Sequence, residues 1–153
     1  MHRLPDETLL WAVQIRNTKN TSPPYEKALV MYRSTNSGKI WQGPRAFADW
    51  SSEGGIARTA SGKLLAVVRY QRNLLPDDPP DLCDGRTWGG CKYYLWLKNT
   101  PYKHAFLLES YDEGQTWKNF RQLTTTLGQC YGFPVVLKDG TVVVVHTTPY
   151  GPG

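Results

Sequence analysis

The chain is short of cysteine, of long hydrophobic runs and of clustered charge, and each shortage removes a class of protein. There are three cysteines in 153 residues. No Cys-x-x-Cys pair and no histidine cluster accompanies them, so no metal site is expected. Cys83 and Cys91 flank the loop Asp84-Gly85-Arg86-Thr87-Trp88-Gly89-Gly90, where a disulfide and two free thiols both fit, and Cys130 is left over. The redox compartment stays open. No apolar stretch approaches the roughly 20 residues of a transmembrane helix. The N-terminus, Met-His-Arg-Leu-Pro-Asp-Glu, lacks the apolar core of a signal peptide. The net charge is +5, yet lysines and arginines are scattered rather than massed. That argues against nucleic acid and leaves a weak attraction for anionic partners such as acidic sugars. No amphipathic helical period is found either.

What is present fits a turn-rich all-β chain. Aromatic residues make up 12% of the sequence, six of them tryptophan, with 14 glycines and 11 prolines. Strand-like runs recur at Thr8 to Ile15, Ala28 to Arg33, Pro44 to Phe47, Gly55 to Thr59, Leu64 to Arg69, Ala105 to Leu108, Asn119 to Leu123, Phe133 to Leu137 and Thr141 to His146. A long irregular segment, Tyr70 to His104, carries Pro76, Pro79, Pro80 and Pro101.

The most specific signal is an octet, Ser110-Tyr111-Asp112-Glu113-Gly114-Gln115-Thr116-Trp117, of the form S-x-D-x-G-x-T-W. By ordinary residue usage it arises by chance in a chain this short on the order of once in ten thousand or less. The Ser110 hydroxyl and Asp112 carboxylate suit bonds to local backbone N–H groups. Gly114 suits positive φ, and Trp117 has the area to pack under the turn. An ordinary Asx-turn would account for the Asp and the Gly but not for the Trp. A degraded copy stands at Ser34-Thr35-Asn36-Ser37-Gly38-Lys39-Ile40-Trp41. Ser34 and Ser110 are 76 positions apart, and the hairpin glycines Gly62 and Gly140 are 78 apart. The period is that of a four-stranded unit plus loops, the mark of a repeat architecture.

These octets resemble the Asp-box, or BNR repeat, of the sialidase (neuraminidase) superfamily. The resemblance implies an all-β fold, part of a six-bladed sialidase-like β-propeller of which the chain holds about two to three blades. Residues 1-47 are expected to form a partial blade, 48-123 a complete blade with the octet between its third and fourth strands, and 124-153 a second partial blade. A propeller needs at least about four blades to close, so the chain is expected to be a piece of a larger protein and inactive by itself.

Blade geometry also sorts the loops by face. The octets fall opposite the ligand face, so Ser110, Asp112, Gly114, Thr116 and Trp117 are expected to be structural. On the ligand face, Glu53, Gly62 and Arg69 have the spacing of a hairpin that returns Arg69 beside Glu53. This is similar to the Glu–x8–Gly–x6–Arg hairpin of exo-α-sialidases. In that family the Glu polarises a tyrosine nucleophile, an exception to the two-carboxylate glycosidase scheme, and the Arg belongs to a triad that grips the sialic acid carboxylate. A planar guanidinium suits that task because it offers two parallel hydrogen bonds. A structural ion pair at a hairpin mouth has the same sequence signature. The chain departs from the family at Gly54-Gly55, where Cys-Gln or similar is usual, and in the long segment after Arg69. The family's acid Asp and first triad Arg lie upstream of the matched region and its tyrosine downstream. None of the nine tyrosines here is assigned as nucleophile.

Trp88, set among glycines, is the candidate to stack on a sugar ring; Tyr93, Tyr94, Trp96 and Tyr102 in the same segment are more readily covering residues. His146 reads as a strand-end packing residue, and Asn20-Thr21-Ser22 is a glycosylation sequon with little weight alone. The expected partner is a glycan or sialoside, with no cofactor, no nucleic acid and no membrane span. The resemblance implies a retaining exo-α-sialidase-like parent, secreted, periplasmic or on the cell surface. The alternatives are a non-catalytic glycan-binding propeller and a protein-interaction scaffold.

Overall fold

The computed structural model describes residues 1–16, 27–72, 75–78, 102–124 and 130–147. Among them the chain is all β, in three antiparallel sheets. The first contains β1 (His2–Arg3), β2 (Leu9–Arg16), β3 (Lys27–Ser34) and β4 (Gln42–Asp49), in that spatial order. The second contains β5 (Ser51–Arg58), β6 (Leu64–Arg72), β7 (Tyr102–Ser110) and β8 (Lys118–Gln122), also in order. The third pairs β9 (Cys130–Val136) with β10 (Val142–Thr147). Within each sheet the strands lie in sequence order, each antiparallel to the next.

The second sheet is the middle layer, and its side chains alternate accordingly. Ala66 pairs with Leu108 and Val68 with Phe106, and these four pack with Leu29 and Ala48 of the first sheet. The intervening pair Val67 and Leu107 turns the other way, with Leu65 and Ala105, and receives Val144 of β10. A strand buried on both faces carries a continuous apolar run, and Leu64 to Val68 is one, with every member at most 3% exposed. Phe47 and Trp117 lie 5.0 Å apart between the first and second sheets. On the other side, the third sheet approaches closely at glycines. A Cβ on Gly132 would run into the Cγ1 of Val67, and one on Gly55 would come within 2.7 Å of the Phe133 ring. The second contact is a physical reason for glycine at position 55.

Several strands differ from their sequence-based limits. His2–Arg3 pairs with Leu9 and Leu10, adding a strand too short to leave a periodic signal. β6 and β7 extend to Arg72 and Tyr102, so the irregular segment after Arg69 is shorter than expected. The extension has visible support: the Arg72 guanidinium sits 4.1 Å from the Tyr102 ring centroid and donates to both Asp78 oxygens, at 2.6 and 2.8 Å. Among the described residues no helix is long and apolar enough to cross a membrane.

Candidate functional site

The two octets fold into the same hydrogen-bonded turn. In the second, Ser110 Oγ donates to Asp112 Oδ1 at 2.9 Å and accepts from the Gly114 amide at 2.8 Å, while Asp112 Oδ1 accepts from the Thr116 amide at 2.8 Å. In the first, the equivalent distances are 3.0, 2.9 and 2.8 Å, with Asn36 in place of Asp112 and Ile40 in place of Thr116. The fourth and fifth residues of both octets are left-handed: Ser37 and Gly38 at φ 58° and 81°, Glu113 and Gly114 at 56° and 84°. Each tryptophan ring lies under the glycine, 3.6 Å from where a Gly38 Cβ would stand and 3.7 Å for Gly114. The bond from Thr116 Oγ1 to Asp112 Oδ2 at 2.5 Å is private to the second turn. The first turn lacks it because Asn36 has an NH2 at that position and Ile40 has no hydroxyl. Partial desolvation works to raise the Asp112 pKa, but donation from the Thr116 hydroxyl and amide, the Ser110 hydroxyl and the Gln115 amide overcomes it and holds the group at about 2. The Asp112 carboxylate thus spends three bonds within its own turn.

The opposite end of the second sheet is different in chemistry. Arg69 pairs with Ala105, five residues along β7 from Ser110, so it stands about 17 Å from the octet. Its partner strand is bulged there. Ser51 faces Tyr70 and Gly54 faces Val68, which leaves Ser52 and Glu53 together opposite Arg69. Two residues against one place both side chains toward the same partner. Arg69 Nη1 donates to Glu53 Oε2 at 2.6 Å, and Ser52 Oγ donates to the same oxygen at 3.3 Å. On its other side Arg69 is held by Gln71, whose Oε1 accepts from Nε at 3.1 Å and Nη2 at 2.9 Å. The Arg69 side chain is 15% exposed and that of Glu53 41%. The pair thus reaches solvent through its carboxylate, with the guanidinium recessed and oriented.

The surroundings add positive charge. Lys27, at the start of β3, has its pKa lowered first by burial, then by Arg16 and Arg69, with Glu53 opposing. Lys103 is buried beside this end, at the position paired with Gln71. Cations from four strands therefore share one end of the stack, with the Glu53 carboxylate among them and Asp49 exposed at the same end. His104 is no candidate base. Burial first, with a smaller push from Arg72, brings its pKa down to about 4 against the opposing hydrogen bond to the Thr124 backbone. Its Nδ1 lies 3.1 Å from the Thr124 hydroxyl, which also accepts from the Ala105 amide.

The sequence reading brought Glu53 to Arg69, and the geometry joins them. It did not find Ser52, Gln71 or Lys27. The signal for Gln71 was its place two residues beyond Arg69, on the same face of a strand. Trp88, the Cys83–Cys91 pair and the Asn20 sequon lie outside the described residues. Tyr102 packs edge-on to Tyr70 at 6.0 Å and donates to Gln122 at 3.0 Å, a covering role. His146 was expected to pack at a strand end, but it is exposed, its Nδ1 near the Thr147 carbonyl. On the outer edge of a two-stranded sheet it has no layer to pack against. Among the described residues no group of three or more His, Cys, Asp or Glu could hold a metal.

No protein-family model matches the chain, and no curated protein matches it significantly. Among solved structures it is similar to a protein of unknown function from Dyadobacter fermentans, at 15% identity and a TM-score of 0.60. That likeness covers 98% of this chain and 33% of the other, so the chain spans about a third of that protein's length. The two share a fold.

Proposed function

We propose that the chain is part of a sialidase-like β-propeller, its sheets serving as blades, and that Glu53 and Arg69 belong to a site for a terminal sialic acid or related acidic sugar. The observation that carries this reading is the Glu53–Arg69 contact of 2.6 Å, at the sheet end opposite two turns of matching Asp-box geometry. In this reading Arg69, oriented by Gln71, supplies donors to a sugar carboxylate. The neighbouring cations raise the local anion concentration. Glu53 accepts a proton from, or polarises, a tyrosine hydroxyl brought to its exposed oxygen, which makes the phenol a competent nucleophile at a retaining centre.

Among the described residues Glu53 is bonded to Ser52 and Arg69 and to no tyrosine. The same Glu53–Arg69 pair also fits a second reading, a propeller that binds acidic glycans without cleaving them. The two readings separate cleanly. Both require the chain to bind N-acetylneuraminic acid better than its uncharged methyl ester, and both require Arg69→Ala to weaken that binding by about 10- to 100-fold, the worth of a charged hydrogen-bond pair. Equal binding of acid and ester, or an unaffected Arg69→Ala variant, overturns the site. Only the enzymatic reading requires a longer protein containing this chain to hydrolyse a fluorogenic sialoside and to lose turnover in Glu53→Ala.

A further inference from the structure

A second cleft runs between the first and second sheets from the octet side toward the other end, and neither Glu53 nor Arg69 lines it. Its larger part encloses about 420 Å³ and is lined by Leu10, Met31, Arg33, Gln42, Arg45 and Gln115 among others. A continuation of about 300 Å³ shares Arg45 and Gln115 and runs past Phe47 and Trp117 to Asp49. The strand register explains the lining. Met31 pairs with Arg45, and Arg33 with both Leu10 and Gln42, so these side chains share the face of the first sheet that meets the second. Leu10 and Met31 are buried, at 1% and 5% exposure, and make an apolar floor. Arg33 is fixed over it by donating to the Glu113 carbonyl at 3.0 Å and to Glu113 Oε2 at 3.3 Å. Arg45 is exposed and, among the described residues, has no hydrogen-bond or ion-pair partner.

We propose that this cleft binds a small ring-shaped organic anion, a carboxylate or sulfate ester, with its charge on Arg45 and its apolar face on Met31 and Leu10. The argument is one of chemistry and size, and is independent of the function proposed for Glu53 and Arg69. An apolar floor with a few convergent polar groups, in a volume within the range of about 300–1,000 Å³, is the common form of a small-molecule site. Two guanidiniums, one of them only partly neutralised by Glu113 and the other not at all, select a negative charge. Gln42 and Gln115 provide side-chain amides for hydroxyl groups at the rim. Asp49, the carboxylate of the continuation, stands at its far end and directs the anionic group toward Arg45.

The test is an NMR titration of the full chain at low salt with sodium glucuronate, sodium sulfate and glucose. The indole N–H of Trp117 and the amide of Gly114 report locally, because the indole donates to the Gly114 carbonyl at 3.2 Å beside the cleft. Glucuronate is expected to shift both signals saturably, glucose of the same ring size not at all, and sulfate only weakly for want of the apolar contact. Arg45→Ala is expected to weaken glucuronate by about 10- to 100-fold. Arg45→Lys is expected to fall between, since it keeps the charge and loses the fork. Absence of a saturable shift, equal binding of glucose, sulfate binding as tightly as glucuronate, or an Arg45→Ala titration like that of the parent chain would each overturn the proposal. Arg45 bonds nothing among the described residues, so its removal leaves the fold intact, and unchanged dispersion of the spectrum verifies this.

Discussion

Replacing Asp112 by Asn asks how much a saturated turn carboxylate contributes to stability. The substitution retains an oxygen for the Ser110 hydroxyl and the Thr116 amide, as Asn36 does in the first octet. It removes the charge and turns the acceptor of the Thr116 hydroxyl into a donor. The pKa drop from 3.8 to about 2 corresponds, at about 1.4 kcal/mol per pH unit, to an upper bound near 2.5 kcal/mol. Solvent screening at this partly exposed turn lowers the expected loss to about 1–2 kcal/mol. That agrees with the usual worth of one charge-assisted hydrogen bond. For a chain of this size the shift in Tm is about 2–4 °C per kcal/mol. The pH signature is more diagnostic. Because the folded pKa is depressed, the contribution is fully present above the unfolded value of 3.8 and is lost as pH falls through about 2. Parent and Asp112→Asn stabilities, from urea unfolding at neutral pH and at about pH 2, should therefore converge in acid. The reciprocal change, Asn36→Asp with Ile40→Thr, should install the missing bond and raise stability by about 1 kcal/mol. A loss below about 0.5 kcal/mol for Asp112→Asn, or a difference that does not shrink in acid, would refute the reasoning.

Two further outcomes follow from the packing and the charges. Gly132→Ala should cost about 1–3 kcal/mol by overpacking against Val67, and an unchanged thermal midpoint would show that the third sheet docks less tightly than described. Glu109, buried at 8% exposure, is held at about 2 by the Asn119 amide first, then Lys63 and the Tyr111 hydroxyl. Glu109→Gln should cost about 1–3 kcal/mol near neutrality, an effect present above the usual value of 4.5 and fading as pH falls toward 2; equal destabilisation at both extremes would argue against the ionic cause.

The sequence disclosed most where the physics is local. The octets were legible because their bonds join residues two and four apart, so the pattern in the chain is the pattern in space. Glu53 and Arg69 were legible for a related reason, since a hairpin converts fixed spacing into contact. The bulge that aims Glu53 was not. Ser52 and Glu53 are both polar, and nothing in the alternation says that two residues will oppose one. The ends of β6 and β7 were missed because Arg72 and Tyr102 stabilise each other across strands, although thirty positions separate them in the sequence. The cleft beside Arg45 was invisible for a stronger reason: it exists only once two sheets are stacked, and no spacing within one strand encodes a gap between layers.

The extra residue in β5 also bears on how such a site can be gained or lost. Most single-residue deletions in a strand reverse the facing of everything beyond them, and in a middle layer that empties the core. A deletion at Ser52 would instead restore regular pairing from Ser51 through Gly54, because the surplus position is the one removed. The sheet keeps its register while Glu53 loses the crowding that sets two polar side chains against one arginine. A fold with this bulge can therefore shed its second polar residue by the loss of a single codon and remain folded with Glu53 directly opposite Arg69, and can acquire one by the opposite event.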